Sequence, residues 1–158
     1  MIRSILKGFS FGLTSGIITT LGLIVGLDSG THSKTVVLGG IFTIAIADAF
    51  SDALGIHVSE ESTNKYSQKE VWESTLATFI SKFLFALTFV IPVLLFQLQT
   101  AVYISVAWGL LVLAILSQRM AKSSKTESWK VIGEHLLIAC IVIATTYYVG
   151  KVISIYFT

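Results

Sequence analysis

The sequence contains one cysteine, Cys140, and one proline, Pro92, and only 13% of its 158 residues are charged. A lone cysteine excludes a disulfide framework and a cysteine-ligated metal cluster. Set inside an apolar stretch, Cys140 reads as a small packing residue. One proline in so apolar a chain favours helices, and the short alternating segments of transmembrane strands are missing. The net charge of +2 is too slight to argue for nucleic acid. No nucleophile–base, phosphate-loop or metal-hydrolase spacing occurs, so the chain does not read as an enzyme, and no resident cofactor is expected.

What the chain has in quantity is apolar length. Hydrophobic residues make up 54% of it, which excludes an ordinary soluble domain and a disordered one and predicts an all-α integral membrane protein. Five spans are predicted, at about 8–27, 35–58, 75–96, 101–116 and 131–155, forming one membrane domain over 1–158. Arg3 and Lys7 precede the first apolar run, but no small-residue cleavage site ends it, so it reads as a retained span. Gly12, Ser15, Gly16, Thr19, Gly22 and Gly26 share one face of that span at a spacing that lets another helix approach closely. Ser67 and Glu70 form a capping-box pair that predicts a third helix starting near Gln68, and Pro92 predicts a kink late in it. The fourth span is short unless its ends extend, and weak cap signals at Ser124, Glu127 and Ser128 precede the fifth. With the N-terminus cytoplasmic, Arg3, Lys7, Lys65, Lys69, Lys82, Arg119, Lys122, Lys125 and Lys130 fall inside, against Lys34 and Lys151 outside.

Two acids stand out because they lie within a predicted span. Asp48 and Asp52 are four residues apart, hence one turn apart on the same helical face, with Ser51, Gly55, Ser59 and Ser62 close by on the wheel. Each Asp at mid-membrane costs roughly 2.5–3.5 kcal/mol on insertion scales, so a pair calls for a compensating role. Hard oxygen ligands facing a pathway suit a divalent cation or a proton better than an organic solute. Glu60 and Glu61 read as solvated acids at the membrane interface, with an ion-collecting site at a pathway mouth as the alternative. Lys82 is expected either to snorkel or to neutralise an acid of the second span. His57 points away from Asp48 and reads as a packing histidine; Glu134 is expected to pair with Lys130.

The segment Ser15-Gly16-Ile-Ile-Thr19-Thr20 resembles the first-span motif of the vacuolar iron transporter family, an Asp-Gly, two apolar residues and a Thr-Thr. Asp48-Ala-Phe-Ser51-Asp52-Ala-Leu-Gly55-Ile-His57-Val-Ser59 is similar to its second-span pattern, Gly-Ala-Leu-Ser-Met-Ala-x-Gly-Glu-Tyr-Val-Ser. The last span, 133–151, is similar to the family's C-terminal helix, so the likeness covers nearly the whole chain. It implies a homodimer that exports Fe2+ or Mn2+ from the cytosol along a two-fold path lined by the first two spans. Ser15 stands where the family has Asp, Asp48 where it has Gly, and Asp52 where it has Met, giving an all-oxygen site. The ligand set so implied is Asp48, Asp52, Ser51, Ser15 and Thr19, with Glu60 and Glu61 towards the cytosol. Carboxylates facing one another across a dimer axis would repel, and a metal displacing the protons they hold is a route to proton antiport. The expected setting is a multi-pass protein in the lipid bilayer of a prokaryotic cell membrane. Two rivals remain: a structural or metal-sensing dimer that does not transport, and a proton-coupled carrier of another solute.

Overall fold

The computed structural model describes residues 2–123 and 126–157; the cap position Ser124 and the basic residue Lys125 lie outside the described residues. The chain forms α1 (Ile2–Thr31), α2 (Lys34–Ser62), α3 (Gln68–Thr88), α4 (Val90–Leu95), α5 (Leu98–Ser123) and α6 (Ser128–Phe157). Counting α3 and α4 as one interrupted helix, five helices among the described residues are long and apolar enough to cross a membrane. Four of the predicted spans lie inside one of them, and the third overruns its helix by one residue, Phe96. The fourth is not short, because α5 extends beyond its apolar centre at both ends. At 30 residues, α1 and α6 are each about 45 Å long, well beyond a hydrocarbon core of about 30 Å.

Local chemistry sets the boundaries. Ser33 caps α2 by accepting the Val36 N–H, and His32, in the left-handed region at φ 48°, turns the chain between α1 and α2. The capping box at α3 forms as predicted: Ser67 Oγ accepts the Glu70 N–H, and Glu70 accepts the Ser67 N–H at 3.0 Å. Pro92 acts through its ring, which obstructs the Thr88 carbonyl one turn earlier. The helix breaks at Phe89, whose N–H reaches the Ala86 carbonyl three residues back at 3.2 Å. Thr88 Oγ1 donates to the Phe85 carbonyl at 2.7 Å and accepts from Trp108 Nε1 at 3.2 Å. A carbonyl released by the break is thus satisfied without water.

Helix α1 is central and touches α2, α3, α5 and α6. Its small residues form the close seam read from the sequence, and the seam has two sides. Gly12 and Gly16 face Thr78, Ser81 and Lys82 of α3, whereas Gly22 and Gly26 face Val142 and Thr146 of α6. Around them Ile17, Leu21, Ile24, Ile41, Phe89 and Leu113 are fully buried. Helix α6 buries only Ala139 and Gly150, so Cys140 is exposed rather than packed, a correction to its sequence reading. An apolar helix with no polar face gives no signal of which side meets protein and which meets lipid.

Candidate cation site

Helix α2 buries Val37, Ile41, Ala45, Ala49, Ala53, Ile56 and Glu60, a stripe of i+3 and i+4 steps. Asp48 and Asp52 flank that stripe, partly exposed at 26% and 20% of their side chains. The buried side of α3, shared between α1 and α2, carries small polar residues, Ser74, Thr75, Thr78 and Ser81, and Lys82, which is only 1% exposed. Lys82 therefore neutralises an acid of the second span, as one of its two sequence readings held, and it takes both. Its Nζ lies 2.5 Å from Asp48 Oδ2 and 2.5 Å from Asp52 Oδ2, and it donates to Ser15 Oγ on α1 at 3.0 Å. A Cβ on Gly16 would stand 3.1 Å from Lys82 Cγ, so the glycine makes room for the lysine stem.

The three helices thus converge on one ammonium. The two acids meet it differently. Asp52 accepts an aligned hydrogen bond, whereas Asp48 Oδ2 is held by charge without hydrogen-bond alignment. Two carboxylates against one lysine give the cluster a formal excess of one negative charge. An isolated ion in low dielectric is very costly, and this mutual pairing offsets much of that cost.

Asp48 also lines an open groove of about 680 Å3 between α1 and α2, together with Thr19, Leu23, Thr43, Ala47 and Ser51. Thr19 Oγ1 donates to the Ser15 carbonyl at 3.0 Å and Thr43 Oγ1 to the Gly39 carbonyl at 2.8 Å. Their hydrogens are used within the helix, so their oxygens remain acceptors. Ser51, Gly55, Ser59 and Ser62 are all exposed, a small polar stripe along α2. Of the residues expected at the site, Asp48, Asp52 and Ser15 gather on Lys82, and Ser51 and Thr19 share the groove wall with Asp48.

Glu60 and Glu61 stand apart, about 12 Å along α2 from Asp52. Glu60 is not a solvated acid: it is 2% exposed, accepts from the Ser74 hydroxyl and pairs with Lys7 Nζ at 2.8 Å. It continues the buried stripe of α2, and that register was the signal available in the sequence. Glu61 is exposed and accepts from Gln68 Nε2 at 3.5 Å. Glu73 accepts from Ser4 at 2.7 Å. His57 packs as read, edge-on to Trp72 and 3.0 Å from Thr75 Oγ1 through Nδ1. Lys130 pairs with Glu127 at 2.8 Å rather than with Glu134. A contact not foreseen is His135 Nδ1 with Ser117 Oγ at 2.7 Å, which ties α6 to α5.

Among the described residues no three His, Cys, Asp or Glu side chains gather into a metal-binding group. One chain therefore offers two carboxylates supplemented by hydroxyl oxygens, the donor set of a hard cation. The sequence pattern of the VIT family matches residues 6–71 and 65–151, which include Ser15, Asp48, Asp52 and Lys82. A search of curated proteins finds no match.

Proposed function

Because the chain belongs to the VIT family, we propose that it exports a divalent transition-metal ion, Fe2+ or Mn2+, from the cytosol by proton antiport. Membership makes it a multi-pass protein of a membrane metal-ion transport family, one of transporters rather than enzymes. The observation that carries the finer reading is the convergence of Asp48 and Asp52 on one cationic group at 2.5 Å, beside an open groove. An arrangement that already holds an ammonium, with one formal negative charge to spare, has the field and the oxygens to hold a metal cation. Metal would approach along the groove past Thr19 and Ser51 and reach Asp48 first, since Asp48 lines the groove.

In this reading the protein works as a homodimer with a cytoplasmic N-terminus, the exposed polar stripe of α2 facing its copy. Asp48 and Asp52 are the principal metal ligands, with Ser15, Ser51 and Thr19 as accessory oxygens. Glu60 and Glu61 would mark the cytosolic approach, Glu60 as a buried paired acid and Glu61 as a surface one. In proteoliposomes, Asp48→Asn and Asp52→Asn are each expected to lower Mn2+ or Fe2+ flux at least tenfold. Flux unchanged in both variants overturns the proposal.

A second reading draws on the burial of Lys82 itself. A lysine that fills the site permanently would leave a structural or metal-sensing membrane dimer without transport. Tight metal binding with no flux in the intact chain favours that reading.

A further inference from the structure

We infer that Lys82 is a tethered cation that competes with the transported metal for Asp48 and Asp52, and so sets the affinity of the site. The inference rests on the proposed Asp-pair site and adds to it a residue on α3. Lys82 occupies the position a metal bridging the two carboxylates would take, at 2.5 Å from an oxygen of each. Two like charges cannot share those oxygens at such range, so metal binding requires the ammonium to give way.

The geometry shows which contact yields. Lys82 is held to Asp52 by an aligned hydrogen bond and to Ser15 Oγ at 3.0 Å, whereas its contact with Asp48 lacks that alignment. Asp48 is also the acid that lines the groove. A cation arriving from the groove therefore takes Asp48 while the ammonium withdraws onto Asp52 and Ser15. The lysine keeps the acids compensated whenever metal is absent, and its return to Asp48 helps expel the metal. Gly16 admits the lysine to this position, because the space its missing Cβ leaves is filled by the Lys82 stem.

The test uses the full chain in lipid nanodiscs, with Mn2+ binding followed by calorimetry. Lys82→Met removes the charge at similar volume, and Mn2+ is expected to bind at least tenfold tighter than to the parent chain. Lys82→Arg restores a tethered cation and should return the affinity to within about threefold of the parent. Adding Asp48→Asn to Lys82→Met should abolish the gain, which assigns it to the Asp pair rather than to loosened packing. A folded Lys82→Met protein that binds Mn2+ no tighter overturns the inference. If Lys82→Met does not fold, labelling of the parent chain decides. Acetic anhydride should modify Lys82 at least threefold faster with saturating Mn2+ than without it, and equal rates overturn the inference. Failure of the transport reading shows elsewhere, as flux indifferent to Asp48→Asn and Asp52→Asn.

Discussion

Replacing Gly8 with alanine tests whether α1 and α3 are held by backbone contact. A Cβ at Gly8 would lie 2.8 Å from the Ser74 carbonyl carbon and 2.9 Å from its Cα, and closer still to the carbonyl oxygen. Ordinary contact begins at 3.4 Å, so the carbonyl carbon alone requires the helices to part by about 0.6 Å locally, and the oxygen requires more. The obstructing atoms are backbone and cannot rotate away. A gap of 0.5–1 Å forfeits roughly a quarter to a half of each dispersion contact it opens. It also stretches the 3.1 Å hydrogen bond from Thr78 Oγ1 to the Gly8 carbonyl. Overpacking of this kind costs about 1–3 kcal/mol. With a loosened hydrogen bond added, the expected loss is about 2–3 kcal/mol, or about 5–10 °C in Tm for a chain of this size. Gly133, whose Cβ would meet nothing within 4 Å, is the control. Gly133→Ala should leave Tm unchanged or raise it, since alanine is the better helix former. The assay is thermal unfolding in one detergent, read by circular dichroism. A Gly8→Ala protein melting within 1 °C of the parent, on the order of the assay's own scatter, would refute the tight-seam account of a gap worth about 2 kcal/mol.

Three further outcomes follow from contacts described above. Lys7→Met should destabilise by about 2–3 kcal/mol because it leaves the buried Glu60 carboxylate with only the Ser74 hydroxyl. Glu60→Gln should cost no more than about 1 kcal/mol, since the amide keeps Ser74 as a partner and the half-exposed Lys7 can be hydrated; equal losses in denaturant titrations argue against this asymmetry. Cys140→Ser should change Tm by less than about 2 °C, because the side chain is exposed on α6 and fills no core space. A large drop in the same melt contradicts the exposed placement of that side of α6.

Much of the architecture was legible because membrane helices carry a strong one-dimensional signal. Apolar length located all five spans, Ser67 and Glu70 marked the start of α3, and Pro92 marked its break. The glycines of α1 gave the seam, though not its division between α3 and α6. That division depends on which neighbour each turn meets, which a helical wheel does not contain. At the site, the Asp pair and its facing side were readable from spacing, and Lys82 was narrowed to two roles. Settling its role required the distance between α2 and α3, a tertiary quantity. Glu60 was misread because two adjacent acids at a span end look hydrated. Its register with Ala45, Ala49, Ala53 and Ile56 shows that one of them is carried inward by the same face that packs the helix.

The interruption at Phe89 divides the third crossing into two mechanically distinct arms. The upper arm, α4, leans on α5 and is clasped at its end by Lys34, whose Nζ donates to the Leu94 and Phe96 carbonyls at 3.1 Å each. The lower arm carries Lys82 and lies along α1 and α2. A break of this kind lets α4 take its own direction without disturbing the close seam that α3 makes with α1. Lys82 therefore sits on the arm that packs hardest against its neighbours, held where the two acids of α2 reach it.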